Sequence, residues 1–222
     1  MAIEILYEDN HILVVVKPPD IPVQGDITGV SDLLNILKYE LKERYNKPGN
    51  VFLGLVHRLD RPVGGAMVFA KTSKAASRLS EQIRKHEMEK IYLCVAQGNP
   101  ETVKGRLTDF LLKDTQTNVV SVVEAGTPQA KEAILDYEVI AHKQDLSLIK
   151  VNLLTGRSHQ IRVQMANIKT PLFGDSKYGY LGDKAHKLAL WSHQICIEHP
   201  TKKEKMHFTS SPPNQYPWNL FT

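Results

Sequence analysis

The sequence has little cysteine and no long apolar run, and these absences exclude several classes of protein. Only two cysteines occur among 222 residues, Cys94 and Cys196, and both lie inside apolar stretches. We expect them to be buried free thiols in a reducing compartment. No apolar run approaches the ~20 residues that a membrane-spanning helix requires, and no secretory signal is visible at the N-terminus. We therefore expect a cytoplasmic protein.

Several catalytic motifs are also missing. The chain has no glycine-rich phosphate loop, which argues against a kinase or a dehydrogenase. Its nine histidines include no pair at helical spacing with an acid between them, so a zinc site is not expected. A Gly-x-Ser-x-Gly elbow is absent, so a serine hydrolase would lack its nucleophile.

Composition and charge are those of an ordinary globular protein with a mildly basic surface. The hydrophobic fraction is 42%, the charged fraction 23% and the net charge +4. No linker or repeat divides the chain, so we expect one catalytic-sized domain over residues 1–222. Basic residues concentrate between 58 and 90 and again at 202–205. They suit either a phosphate backbone or a solvated helix face, and both interpretations stay open.

Hydrophobic periodicity predicts alternating strands and helices. Strands are expected at 3–7, 12–17, 66–70, 90–97, 188–197 and 206–209, with a hairpin inside 133–154. Helices are expected from Ser31 to about Tyr45, over 74–86, and from Ser158 with Ile161, Met165 and Ile168 on its apolar side. This order indicates an α+β fold whose mixed, mostly antiparallel sheet is flanked by helices.

The run His57-Arg58-Leu59-Asp60 is the strongest candidate for a site. It places an imidazole, a guanidinium and a carboxylate directly after the apolar segment 51–56, and a proline and two glycines follow it. Charged groups at the end of a strand often mark a cleft, and a carboxylate held beside an arginine is a candidate active group. A solvated strand-end ion pair explains the four residues equally well.

Three later stretches add polar groups to apolar surroundings. Lys90-Ile91-Tyr92 places a tyrosine in a strand, where it either packs in the core with one hydrogen bond or points into a site. In the stretch 154–162, Arg157 precedes a helix N-terminus, where a cation is unfavourable unless an anion joins it. The turn-rich segment 171–179 is expected to be a loop.

Taken in order, these stretches resemble the motifs of the RluA-type family of RNA pseudouridine synthases. The family's His-Arg-Leu-Asp-x-x-Thr-Ser-Gly motif corresponds to residues 57–65, and its Lys-x-Tyr strand to 90–92. Its Gly-Arg-Thr-His-Gln-Ile-Arg stretch corresponds to 156–162, and its Pro-x-x-Gly-Asp-x-x-Tyr-Gly segment to 171–179. A closing strand that ends in His-Pro corresponds to 190–200.

The resemblance implies a pseudouridine synthase-like fold with an RNA-binding cleft, and a role for each matched residue. Asp60 would be the catalytic aspartate, Tyr92 the active-site tyrosine, and Arg157 the arginine that pairs with Asp60. Arg58 would fill the gap left by a flipped base, while Leu190 and Ile161 would form the apolar wall of the pocket. The remaining motif residues are expected to contact the RNA substrate: His57, Leu59, His159, Gln160 and Arg162.

The implied reaction converts a uridine in RNA to pseudouridine without a metal or other cofactor. The substrate would be a tRNA or rRNA stem-loop, and a monomer is expected. Some family members carry an extra N-terminal RNA-binding domain, and we expect no such separate domain here. A catalytically silent RNA-binding module and a glycosidic-bond hydrolase are the alternatives. The chain departs from the family pattern at Val63 and Gly64, which replace Thr-Ser, and at Gln164 and Trp191, where histidine is frequent.

Overall fold

A computed structural model describes residues 3–25, 31–183 and 185–221 of the chain. They contain eleven strands and three α-helices, in the order β1 (Glu4–Glu8), β2 (Ile12–Lys17), α1 (Leu33–Arg44), β3 (Gly54–Leu55), β4 (Gly64–Ala70), α2 (Ser73–Arg84), β5 (Glu89–Gln97), β6 (Lys104–Asp114), β7 (Val119–Val123), β8 (Lys131–Lys143), β9 (Leu146–Leu153), α3 (Gln160–Asn167), β10 (Leu190–Glu198) and β11 (Lys205–Thr209). A short 3-10 helix, Trp218–Leu220, follows. The chain packs as two compact units, residues 1–89 with 192–211 and residues 90–191 with 212–222.

The first unit is built on strands in the order β1-β2-β4-β10. β2 pairs antiparallel with β1 along one edge and with β4 along the other, in a register that runs from Ile12 opposite Ala70 to Lys17 opposite Gly65. β3 also pairs with β4, and β11 pairs with β10. β4 is buried at every residue, so its sequence is apolar throughout and does not alternate.

The core of the first unit lies between these strands and α2. Ala75 and Leu79 of α2 pack against Ile12 and Val14 of β2 and against Val68 of β4. Two reciprocal hydrogen bonds fix the helix further, since the Gln82 side chain donates to the Glu198 carbonyl at 2.8 Å and accepts from its amide at 3.0 Å. The predicted helix over 74–86 is therefore confirmed.

Helix starts differ from the predictions by one or two residues. Asp32, not Ser31, caps α1, and its carboxylate accepts the Asn35 amide at 2.8 Å. Thr72 caps α2 by accepting the Ala75 amide at 3.1 Å. Both side chains satisfy amides that the first helical turn leaves without partners. The Ser31 prediction was wrong because its neighbour is an equally good cap, and periodicity does not choose between adjacent residues.

A pair formed by the half-buried Asp9 and the fully buried His199 joins β1-β2 to the β10-β11 connection. The backbone amides of Thr201 and Lys202 donate to His199 Nδ1. The ring hydrogen therefore sits on Nε2, which donates to Asp9 at 2.8 Å. Burial opposes ionisation of Asp9, but the His11 and Ile12 amides and His199 outweigh it and lower the pKa of Asp9 from 3.8 to about 2.

We expect Asp9→Asn to lower the free energy of unfolding by about 1–2 kcal/mol at neutral pH. The folded-state pKa of Asp9 lies below its unfolded value, so its stabilising contribution is complete above pH ~4 and declines as the pH falls toward 2. Urea titrations of both proteins at several pH values should therefore show a difference that shrinks on acidification. A difference that stays constant from pH 6 to pH 2.5 would contradict this account.

The second unit is a five-stranded antiparallel sheet in the order β5-β9-β8-β6-β7. The predicted strand at 90–97 and the predicted hairpin appear as β5 and as β8 with β9. The sequence patterns did not predict β6 and β7, because β6 mixes charged and apolar residues without strict alternation. The exposed side of β6 carries cross-strand ion pairs, Lys104 with Glu138 and Arg106 with Asp136.

The predicted fold class is confirmed, because every strand pair with a described register is antiparallel and the helices pack on strands. Both cysteines are buried and free, as expected. Burial raises the pKa of the Cys94 thiol to about 12. Among the residues that the structure describes, no helix is both long enough and apolar enough to cross a bilayer.

Candidate active site

The Asp60 motif forms a tight turn in the first unit. The Val63 amide donates to the Asp60 carbonyl at 3.0 Å, and β4 begins at the next residue. The apolar segment before the motif is less regular than expected, since only Gly54–Leu55 is a strand. Asp60 is half-buried, Leu59 is buried and Arg58 is exposed. The turn therefore presents a carboxylate whose backbone is held from both sides.

Lys17, at the end of β2, is the main support of this turn. Its side chain is fully buried, and Nζ donates to the carbonyls of Pro18 at 2.8 Å, Arg61 at 3.0 Å and Val63 at 2.7 Å. Burial lowers the pKa of Lys17 from 10.5 to about 8, while Asp20 and Asp60 favour its charged form. One buried ammonium thus binds two carbonyls of the segment that follows Asp60.

Sequence reasoning missed Lys17 as a site residue. The available signal was a lysine that ends an otherwise apolar strand immediately before Pro18-Pro19. A lysine is almost never fully buried unless its charge is compensated, so its position in a central strand indicated a set of acceptors.

Asp20 and Arg61 add a second clamp. The Asp20 amide donates to the Arg61 carbonyl at 2.9 Å, and Arg61 Nε donates to the Asp20 carbonyl at 3.1 Å. Asp20 adopts a left-handed conformation, with φ of 67°, which aspartate tolerates better than most residues. One backbone hydrogen bond and one side-chain hydrogen bond therefore join the 18–20 turn to the Asp60 turn.

His57 is engaged inside the first unit. Its Nε2 accepts a hydrogen bond from the Val68 amide of β4 at 3.0 Å. Accepting at Nε2 requires a neutral imidazole with its hydrogen on Nδ1. The RNA contact predicted for His57 stays a prediction, but one ring nitrogen already has a structural partner.

The departures at Val63 and Gly64 leave this turn intact. Lys17 binds the carbonyl of Val63, which any residue supplies, and the Val63 side chain is buried. The glycine that matches the family is the sensitive one, because Gly65 has φ of 117° and a Cβ there would collide with the Ser192 backbone.

Tyr92 and Lys90 lie on β5 in the second unit. Tyr92 is buried, with 7% of its surface exposed, and pairs with Val151 of β9 in the strand register. Lys90 is half-buried, and burial followed by the nearby charge of Arg157 lowers its pKa. The sequence left the core and site interpretations of Tyr92 open, and its catalytic role stays a prediction.

Arg157 lies in a loop before α3, not at the helix N-terminus. The sequence placed the helix start at Ser158, whereas α3 begins at Gln160. The expectation failed because Gln160 folds back over the loop: its Oε1 accepts from the Thr155 hydroxyl at 2.8 Å and from the Arg157 amide at 3.0 Å. Arg157 Nε donates to the Glu132 carbonyl at 2.7 Å, which fixes the near end of its guanidinium.

Arg162 of α3 is buried and paired with a carboxylate. Arg162 forms two parallel hydrogen bonds of 2.7 Å with Asp175, and its guanidinium lies 5.0 Å from the Tyr178 ring. Tyr178 Oη lies 2.6 Å from His159 Nδ1. The segment 171–179 is a loop, as expected, and these contacts attach it to α3. Gln160 and Arg162 thus have structural partners where RNA contacts were predicted.

Gln164 occupies a position where the family frequently has histidine. Its Nε2 donates to Asp109 at 2.7 Å and to the Ala133 carbonyl at 3.2 Å, which attaches α3 to β6 and β8. Its Oε1 is buried without a hydrogen-bond partner among the described atoms. The amide therefore supplies two donors at the cost of one unsatisfied acceptor.

The apolar wall residues are buried within the second unit. Ile161 and Leu190 expose 4% and 5% of their surface, and Trp191 follows Leu190 with 6% exposed. The described residues contain no group of three or more His, Cys, Asp and Glu side chains arranged to hold a metal ion.

Comparison with known proteins places several of these motifs within one family match. A model of the RNA pseudouridylate synthase family matches residues 11–167, a range that contains Lys17, Asp60, Tyr92 and Arg157. The chain belongs to the RluA-type family of RNA pseudouridine synthases. The family match and the described geometry thus concern the same residues.

Two curated bacterial relatives illustrate the similarity. An uncharacterised RNA pseudouridine synthase of Bacillus subtilis is 34% identical over 206 residues, covering 91% of this chain and 66% of the relative. Ribosomal large subunit pseudouridine synthase D of Yersinia pestis is 37% identical over 182 residues, covering 81% of this chain and 53% of the relative. The chain thus spans between about half and two thirds of the length of these two relatives.

Solved structures support the fold. Human RNA pseudouridylate synthase domain containing 4 superimposes with a TM-score of 0.80 at 21% identity, covering 95% of this chain and 88% of that one. At this identity the likeness concerns the fold alone.

We expect Lys17→Met to lower the free energy of unfolding by about 2–4 kcal/mol, since it leaves three carbonyls without their donor. Methionine has a similar length and removes only the ammonium. Hydrogen exchange should show increased exchange at the Val63 amide, which the Asp60 turn protects. Unchanged protection of that amide would show that Lys17 does not hold the turn.

Proposed function

We propose that this protein isomerises a uridine in structured RNA to pseudouridine. The observation that carries the proposal is the half-buried Asp60 carboxylate on a turn fixed by Lys17, in the motif where the family has its catalytic aspartate. A preorganised carboxylate suits a reaction that depends on geometry rather than on a strong acid or base.

The reaction breaks the bond between ribose C1′ and N1 of uracil and forms a bond from C1′ to C5. C5 loses a proton and N1 gains one, so atoms and charge balance and no oxidant or energy source is needed. In the proposed mechanism Asp60 either attacks as a nucleophile or removes a ribose proton. The family resemblance assigns to Arg157 the pairing with Asp60, and to Tyr92 stacking on the base and assistance in removing the C5 proton.

The target base must leave its stack before these atoms can react. Flipping costs a few kcal/mol and is easiest in loops, so a stem-loop is the proposed substrate. Arg58 is exposed beside Asp60, which suits the role of filling the space that the base leaves. Gln160 and Arg162 support the Arg157 loop and the 171–179 loop through their internal contacts.

Ribosomal RNA is the first substrate to test, because several relatives carry the name ribosomal large subunit pseudouridine synthase. Transfer RNA is the second. We propose that residues 1–222 act as one catalytic domain. A cytoplasmic location and a monomeric state stay predictions from the sequence.

We expect Asp60→Asn to reduce pseudouridine formation by a factor on the order of 10³ or more while RNA affinity changes little. Chromatography of nucleosides from RNA incubated with each protein would measure this, because uridine and pseudouridine have equal mass but separate. Asp136→Asn is the matched control, since that carboxylate pairs with Arg106 on the exposed side of β6 and β8.

Two alternatives give different products. A silent RNA-binding module would bind RNA without forming pseudouridine in either the parent or the variant. A glycosidic-bond hydrolase would release free uracil and leave abasic sites. Mapping pseudouridines in RNA from cells with and without the protein would identify the modified position.

A further inference from the structure

We propose that His57 is a positioning residue for the Asp60 turn and works as a hydrogen-bond acceptor, not as a group that contacts RNA. The inference rests on the proposed function, because the turn it positions is the one assigned to catalysis. It assigns a specific task to the first residue of the His-Arg-Leu-Asp run.

The argument begins with the edges of β4. β2 pairs with β4 along one edge from Gly65 to Ala70. β3 and β10 must therefore share the other edge. On that edge β3 covers the C-terminal end, where Leu55 lies opposite Phe69. Near the N-terminal end, the Ser192 hydroxyl of β10 donates to the Ala66 carbonyl at 2.9 Å.

Val68 lies between these two pairings. β3 ends at Leu55, which is opposite Phe69, so no β3 residue is in register with Val68. Val68 is fully buried, and a buried amide without an acceptor is strongly disfavoured. His57 Nε2 accepts this amide at 3.0 Å, so the imidazole takes the place of a strand carbonyl.

This hydrogen bond fixes the chain immediately before Asp60. Lys17 fixes the chain after it through the Arg61 and Val63 carbonyls. Asp60 therefore lies between two anchors, and both are fastened to the same pair of strands, β2 and β4. If the hydrogen bond of His57 is lost, the chain around Asp60 is fixed only on its C-terminal side. The carboxylate then remains present but changes its orientation.

The proposal requires only an acceptor at the position of Nε2. Glutamine is the conservative replacement, because its Oε1 extends about as far from the backbone as His Nε2. Methionine has the same length as glutamine and lacks the amide. His57→Gln and His57→Met thus differ mainly in the acceptor, and neither retains an imidazole that could contact RNA.

The experiment measures kcat, KM and RNA affinity for the parent and both variants on an RNA that the parent modifies. We expect His57→Met to reduce kcat about 10- to 100-fold, as a misplaced reacting group does, with RNA affinity within about threefold of the parent. His57→Gln should recover most of the kcat. Leu41→Ala is the stability control, because Leu41 is buried on α1 and is not in the core cluster that contains Val68.

Three results would overturn the proposal. An equal loss of kcat in His57→Gln and His57→Met would assign the effect to the imidazole itself. A loss of RNA affinity in both variants, together with part of its salt dependence, would place His57 in contact with the RNA. A loss of kcat in Leu41→Ala as large as that in His57→Met would reduce the effect to stability. A parent protein that modifies no RNA would instead refute the proposed function.

Discussion

The structure around the candidate site depends on one buried ammonium. Lys17 extends from the end of β2 into the protein interior, where its charge is tolerated because three carbonyls accept its hydrogens. Two of those carbonyls belong to the segment after Asp60. A buried cation cannot give up any of these partners cheaply, so the turn has little freedom to change its path. The same ammonium contributes positive potential near the Asp60 carboxylate, which joins the mechanical support of the turn to its electrostatics.

Because backbone groups carry most of this support, the side chains of the turn can vary more than a motif suggests. Val63 contributes a carbonyl to Lys17 and an amide to Asp60, and neither depends on the hydroxyl that the family often has there. Gly65 cannot vary in the same way, since its positive φ and its approach to Ser192 both exclude a side chain. Within this turn, the chain thus departs from its family where only the main chain matters and agrees with it where the geometry demands one residue.

Periodicity predicted most of the elements, and the motif order predicted the family, but hydrogen-bond partners were not predictable. The helices and most strands follow from apolar spacing, whereas β6 and β7 escaped because their exposed sides alternate poorly. Lys17 was overlooked because a burial pattern does not say which carbonyls will meet a lysine. The start of α3 was misplaced because the Gln160 side chain returns to Thr155 and Arg157. Thr155 and Gln160 both also bind the backbone of Ile134 in β8. Their contact therefore depends on a strand that is distant in sequence, which a local pattern does not indicate.

The two units solve the problem of holding a polar loop in a similar way. In the first unit, Lys17 extends from β2 and binds carbonyls of the Asp60 turn, while His57 accepts the Val68 amide of β4. In the second, Gln160 and Arg162 lie inside α3 and bind the loops on either side of it, at Thr155 and at Asp175. In both units, the side chain of a motif residue that could face a substrate forms hydrogen bonds with the chain's own residues instead. Since such contacts reduce the freedom of Asp60 and Arg157 in the absence of substrate, they fit the proposed reaction, whose rate would depend on orientation more than on an activated cofactor.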